Sequence, residues 1–265
     1  MNCYTTIEEV SSELSLTVGL SVIEAISREI DALCMRHFYT RSGIEYYTPA
    51  DNKTLFLNDV LSISELVIDS AIAGTYTEKW TEDEDFVLSP FSEWPKVRLD
   101  VLPWGDYAFP VDQFRAVKIT GVWGYGDGES VSPWTASGIT GTLADAADTS
   151  MAISAEDVIE TGDTLLIGSE QVFVTAVTTN DSKIATVERG MNGTTAAAHS
   201  AAACSVAAYP PDLKRAALWF VRNESTAAAR AGYESQRAGD YSYKLQSPKS
   251  LDEVKKRILG RFIKL

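Results

Sequence analysis

Two histidines, three cysteines and one run of carboxylates are the side chains in this 265-residue sequence whose types could carry chemistry, and their spacing decides what is open to them. His37 closes a segment with an apolar stripe, the place where a cation meets the negative end of a helix dipole. His199 lies in ERGMNGTTAAAHSAAAC with no second ligand at metal spacing, so it reads as a loop residue. Cys3, Cys34 and Cys204 are odd in number and far apart, which indicates neither a disulfide framework nor a metal knuckle. The run WTEDED from Trp80 to Asp85 alternates carboxylates as a calcium loop does, but it lacks the glycine and the distal glutamate of one and reads as a solvated turn. Gly124, Gly126 and Gly128 have the wrong spacing for a dinucleotide turn, and no Gly-Lys-Ser/Thr follows. A serine nucleophile elbow and a His/Cys grouping are both missing. The reading is a protein that is not an enzyme and needs no cofactor and no metal.

The elements that would hold these residues follow from periodicity. Thr5 or Thr6 with Glu8 and Glu9 offers a helix start before Ile7 and Val10. A main N-terminal helix is predicted from about Val18 to His37, with Val22, Ile23, Ile26, Ile30, Leu33 and Cys34 on one stripe. Period-two runs then take over, from Tyr46/Tyr47 through Leu55-Phe56-Leu57, Leu66-Val67-Ile68, Phe86-Val87-Leu88 and Val97/Leu99/Val101 to Val117/Ile119. These predict an antiparallel sheet of short strands. Pro210-Pro211-Asp212 opens a second helix with Leu213, Ala216, Ala217, Phe220 and Val221 at helical spacing. Past a polar stretch from 231 to 243, Leu251, Val254, Ile258, Leu259 and Phe262 form a further helical stripe, with Lys255, Lys256, Arg257, Arg261 and Lys264 beside it.

Between the strand of 114–123 and the helix at 213 lie about eighty residues where a few would normally serve. Residues 136–208 are rich in Ala, Thr and Gly, with strands expected at Thr164–Gly168, Gln171–Val177 and Ile184–Val187. They read as a small β module inserted in a surface loop, whose ends must return close together. The predicted fold class is therefore α+β: a helical core with a small antiparallel sheet, an inserted all-β module and a C-terminal helical tail. Residues 1–135 and 209–265 would form the core and 136–208 the inserted domain.

The net charge of −14 is unevenly placed: −13 over residues 1–135, −7 over 136–208 and +6 over 209–265. An acidic body argues against gripping nucleic acid through phosphate contacts, while it lets DNA slide past without sticking. No apolar run approaches the roughly 20 residues that span a bilayer, and MNCYTTIEEV does not read as a signal peptide. The expectation is no membrane and synthesis in the cytoplasm.

The strand-turn ITGVWGYG, followed after the gap by PPDLKRAALWFV, resembles the head-tail connector (adaptor, or head completion) proteins of long-tailed bacteriophages. The N-terminal helix ending in RHFY, then LFLNDVLSISELVID and TYTEKWTEDEDFVLSP, continue the resemblance in the same order, over roughly residues 5–135 and 209–265. It implies a structural virion protein of the neck, assembled in the host bacterial cytoplasm. Such a protein forms a ring, of twelve copies by analogy with a twelvefold portal, between the portal protein and the next neck or tail-completion protein. DNA would pass through its channel without specific binding. A closed ring needs a heterologous interface, for which Ile23 and Ile30 of the first helix and Leu213 and Phe220 of the second are the candidates. The tail carrying Leu251, Val254, Lys255, Arg257, Ile258, Leu259, Arg261 and Phe262 would be mobile until it docks on the portal. The alternative, from a different class, is a carbohydrate- or surface-binding protein whose site lies on the inserted module. Solvent-facing aromatics would mark it, and 136–208 holds one aromatic residue, Phe173.

Overall fold

The computed structural model of the protein describes residues 2–71, 74–155, 158–178, 183–229, 235–238, 241–244 and 257–264. Two helices open the chain, α1 (Ile7–Leu14) and α2 (Leu20–Cys34). Thr6 starts α1 with a capping box: its hydroxyl accepts the Glu9 N–H at 3.1 Å, and the Glu9 carboxylate accepts the Thr6 N–H at 3.4 Å. Six antiparallel strands follow: β1 (Arg41–Tyr47), β2 (Thr54–Ile68), β3 (Glu78–Trp80), β4 (Phe86–Ser89), β5 (Lys96–Val101) and β6 (Val117–Trp123). They lie in the order β1-β6-β2-β5-β4, with β3 also on β2. Along β6 the burial alternates residue by residue, with Val117, Ile119, Gly121 and Trp123 inward.

The sheet is larger than the sequence predicts. Leu55-Phe56-Leu57 and Leu66-Val67-Ile68 are the two ends of a single fifteen-residue strand, β2. Its register shifts between Phe56 and Val60, between Val60 and Ser62, and between Ile63 and Glu65. Bulges of this kind bend a strand and reset which residues face inward, so no one period runs through it. The sheet has a core of its own around Leu55, Leu66, Trp80, Phe86, Leu99, Ile119 and Trp123.

Residues 134–207 form a closed six-stranded barrel: β7 (Trp134–Leu143), β8 (Ser150–Ile153), β9 (Thr164–Ile167), β10 (Glu170–Thr178), β11 (Ile184–Glu188) and β12 (His199–Ala207). Its interior is a separate cluster that includes Leu143, Met151, Leu165, Ile167, Val172 and Val187. The ends of the barrel meet, since Trp134 pairs with Ala207 across β7 and β12 and the Ala208 N–H donates to the Pro133 carbonyl at 2.9 Å. The chain then re-enters the main body as α3 (Pro211–Ala229), which packs on α2 and α1.

The predicted fold class needs correction. Strands account for 38% of the structure and helices for 21%, so this is mostly a β protein with a sheet and a barrel, not a helical core carrying a small sheet and a helical tail. The helices form one layer, around Ile23, Ile30, Phe38, Leu213, Phe220 and Phe262. After α3, the described residues hold a two-stranded hairpin of β13 (Ser235–Ala238) and β14 (Tyr241–Lys244). Residues 257–259 are helical and run into the 3-10 turn Gly260–Phe262.

The barrel is glued to the helical layer as well as tethered at its ends. Phe173 on β10 turns away from the barrel interior and is buried in the helical core with Cys3, Tyr4 and Phe38. Beside it the Asn2 and Asn192 amides exchange hydrogen bonds at 2.9 Å, Asn192 also donates to Gln171 at 2.7 Å, and Gln171 donates to Thr40 at 3.1 Å. Gly193 lies so close to β1 that a Cβ there would sit 2.1 Å from the Ser42 carbonyl oxygen.

At the other side of this junction, carboxylates from both partners crowd together. Thr6 donates to Glu160, the Thr161 N–H donates to Glu8 at 2.9 Å, the Glu160 N–H donates to Asp163 at 2.9 Å, and Lys214 pairs with Glu9. Burial pushes the Asp163 carboxyl up to about 7; the Glu160 N–H opposes this, and the Glu160, Glu9 and Glu8 charges add to it. An acid whose folded pKa lies above its ordinary 3.8 loses folding stability progressively between pH 3.8 and 7, and the full penalty applies above 7. Asp163→Asn is therefore expected to stabilise the protein at pH 8 by on the order of 1–2 kcal/mol after solvent screening. That gain should fade as the pH falls toward 4. Urea unfolding at pH 8 and pH 4.5 measures it, and a gain independent of pH would rule this origin out.

Candidate functional site

The described part of the terminal segment lies against the chain's own helices. Of the stripe, Leu251, Val254 and Lys255 lie outside the described residues. Leu259 and Phe262 are fully buried against the chain's own helical layer, and Ile258 packs at its margin. Phe262 meets Phe38 and Tyr125 edge-on, with ring centroids 5.4 and 5.7 Å apart. The Lys264 N–H donates to the Cys34 carbonyl at 3.0 Å, satisfying one of the free carbonyls at the end of α2. Arg257 and Arg261 stay exposed, and Arg261 pairs with Asp212 at the start of α3. Within residues 257–264, Ile258, Leu259 and Phe262 thus pack within the subunit, while Arg257 and Arg261 face solvent.

The four residues expected at a subunit interface lie in that same layer. Ile23, Ile30, Leu213 and Phe220 are all buried, because the apolar faces of α2 and α3 cover each other inside one chain. Two helical stripes of matching width, read separately, carry no sign of whether they meet in cis or in trans.

The structure also gathers residues that the sequence left apart. Glu170, at the first position of β10, is fully buried and receives hydrogen bonds from five sources. Arg189 Nε and Nη2 donate at 2.7 and 2.8 Å, the Gly190 and Ala197 N–H groups at 3.0 Å each, and His199 Nε2 lies 2.9 Å away. Burial pushes this carboxyl up, but Arg189, the Ala197 N–H, His199 and the Gly190 N–H together outweigh it and hold the pKa at about 2. Arg189 spends its remaining donors on the carbonyls of Asp145, Asp148 and Ala197. A Glu, an Arg and a His in contact look like acid-base machinery, yet every polar atom of the carboxylate and the guanidinium is already engaged in holding three barrel segments together. The ERGMNGTTAAAH loop is a structural clasp closed on a carboxylate eighteen residues before its first residue, Glu188.

The remaining candidates also serve structure. Cys3, Cys34 and Cys204 are buried, and burial pushes their thiols up to about 12, 12 and 11, where they are unreactive. Gly124 takes φ 134°, and a Cβ on it would fall 2.2 Å from the Tyr39 carbonyl oxygen, so the glycine lets β6 pass against the end of the helical layer. His37 sits beyond the end of α2, 3.5 Å from the buried Asp31. Among the described residues no group of three or more His, Cys, Asp or Glu could hold a metal ion. None of their helices is long and apolar enough to cross a membrane. Phe173, the aromatic that would mark a binding surface on the barrel, is buried.

A cleft of about 440 Å³ opens where the end of α2 meets β1, β2 and β6. It is lined by Arg28, Arg36, Arg41 and Lys264, with Asp31 and Asp59 beneath them. No protein-family model matches the chain, and no curated protein matches it.

Proposed function

We propose that this chain is a structural subunit of a bacteriophage neck, forming a ring between portal and tail through which DNA passes. The observation that carries this reading is the seam at Pro133–Ala208. The motifs ITGVWGYG and PPDLKRAALWFV, whose order resembles head-tail connectors, stand on either side of a barrel whose ends are hydrogen-bonded to each other. Removing the barrel from view leaves β6 leading into α3, as the resemblance requires. Twelve copies, a portal neighbour and a tail-side neighbour come from the resemblance alone.

In this reading the terminal segment meets the portal with its cations, Arg257 and Arg261, while Leu259 and Phe262 anchor it to the subunit. Truncation after Ser247 would remove that anchor and so confuse loss of folding with loss of docking. Charge reversal separates them, because the Arg261–Asp212 pair is exposed and such pairs contribute about 1 kcal/mol or less. Arg257→Glu with Arg261→Glu is expected to leave the unfolding midpoint nearly unchanged and to lower joining to portal-bearing heads at least tenfold. Wild-type joining by the doubly reversed protein would remove the docking role. A dimer, or no fixed stoichiometry, in mass measurements of neck complexes would remove the ring.

A further inference from the structure

The barrel meets the helical layer through two unlike contacts. Around Phe173 the contact is neutral, with an apolar ring in the core of the layer and amides bonded to amides. Along α1 it is built on carboxylates. The Thr161 N–H donates to Glu8 at 2.9 Å, the Ile7 N–H donates to the Thr161 carbonyl at 3.1 Å, and Thr6 donates to Glu160, so bonds cross the junction in both directions. Beside them lies a cleft of about 380 Å³ with a wall from each body, Thr6 and Glu9 on one and Glu160 and Asp163 on the other.

Glu8 and Glu9 come from the first turn of α1, and Glu160 and Asp163 from the segment between β8 and β9. Lys214 of α3 is the only cation among the described residues that line the cleft, and it is paired with Glu9. Cys3 and Tyr209 also face it. Burial pushes the Cys3 thiol up to about 12 and raises the Tyr209 hydroxyl as well, so both are neutral between pH 5 and 8. Glu24 and Arg28 of α2 act on Cys3 with opposite signs. Asp163 is the least compensated of the group: among the described residues its carboxylate accepts the Glu160 N–H at 2.9 Å, within its own loop, and pairs with no cation.

We propose that this side of the junction is a pH-dependent latch, which closes in acid and parts from α1 as the pH rises, while the neutral contact around Phe173 keeps the barrel docked. Asp163 sets the sign. Burial, with the Glu160, Glu9 and Glu8 charges, carries its carboxyl up to about 7 against the opposing Glu160 N–H. At pH 8 it is ionised and sits beside those three carboxylates; parting the cleft returns it to water and to its ordinary 3.8. Opening is therefore favoured progressively from pH 3.8 to 7 and gains nothing further above 7. The latch needs neither the ring nor the portal.

Hydrogen exchange of the full chain tests it. The protection factors of the Ile7 and Thr161 amides, which correct for the intrinsic effect of pH on exchange, should fall at least tenfold between pH 5 and pH 8. At pH 8 these two amides should also be at least tenfold less protected than Val10, bonded to the Thr6 carbonyl within α1, and Val187, bonded to the Thr149 carbonyl within the barrel. That difference separates opening of the junction from fraying of the helix or unfolding of the barrel. Asp163→Asn should restore protection of Ile7 and Thr161 at pH 8 to the level found at pH 5. Seam amides as well protected at pH 8 as Val10 and Val187 would mean that the junction opens only when the protein unfolds. A fall between pH 5 and 8 that persists in Asp163→Asn would place the pH dependence elsewhere, and either result overturns the proposal.

Discussion

Glu170→Ala is expected to unfold the barrel at temperatures the wild type tolerates. The substitution leaves the Arg189 guanidinium, 6% exposed, without its counter-charge, and it frees the Gly190 and Ala197 N–H groups. Breaking a buried ion pair by removing one partner typically costs about 3–5 kcal/mol. That is a large share of the roughly 5–15 kcal/mol that a domain has in total. Glu170→Gln should cost nearly as much, because the amide replaces one acceptor oxygen with a donor that faces other donors. The acid limb of the wild-type stability curve carries the same signature. A carboxyl held at about 2 against an ordinary 4.5 gives stability that is complete above pH 4.5 and is lost between there and pH 2. Denaturant unfolding at pH 7 and pH 3 reads both effects: the gap between wild type and Glu170→Ala should narrow at the lower pH. A mutant with the wild-type midpoint at pH 7 would show that the clasp is incidental.

The second large effect is expected at Phe262. The ring is 1% exposed and stands edge-on to Phe38 and Tyr125. Its removal deletes a large buried aromatic and opens a cavity under residues that also touch the end of α2, at a cost of about 3–5 kcal/mol. The local consequence is separable from the global one. Hydrogen exchange at the Lys264 N–H, bonded to Cys34, should become fast in Phe262→Ala even where the sheet and barrel remain protected. A Lys264 amide that exchanges freely in the wild type would mean the segment is not docked in the free subunit.

The sequence made some of this legible and hid the rest for identifiable reasons. The α1 capping box, the α2 and α3 stripes and the alternation in β6 each write a local rule directly into residue order. The barrel showed as a change in composition, and the pairing of its ends matches the expectation that the segment returns to its starting point. β7, β8 and β12 escaped because Ala, Ser, Thr and Gly carry little hydrophobic period, and two register shifts interrupt β12. The whole of β2 was obscured by its bulges. Glu170 gave one weak signal, a carboxylate opening an otherwise apolar strand, but its partners at 189–199 are joined to it by the fold alone. The weight of β structure was underestimated for the same reason: helices announce themselves in a dozen residues, whereas a barrel becomes apparent only when its distant strands pair.

The seam at Pro133–Ala208 has a consequence in evolutionary terms. A segment that leaves and returns through one pair of hydrogen-bonded residues can be gained or lost by recombination without disturbing the path of the host chain. Phe173 and the Asn2–Asn192–Gln171 network set the limit to such an exchange, because they put barrel side chains into and beside the core of the helical layer. A version of this chain without the barrel would need a different cover over Cys3 and Tyr4, and a barrel moved to another host would carry an exposed Phe173 with it.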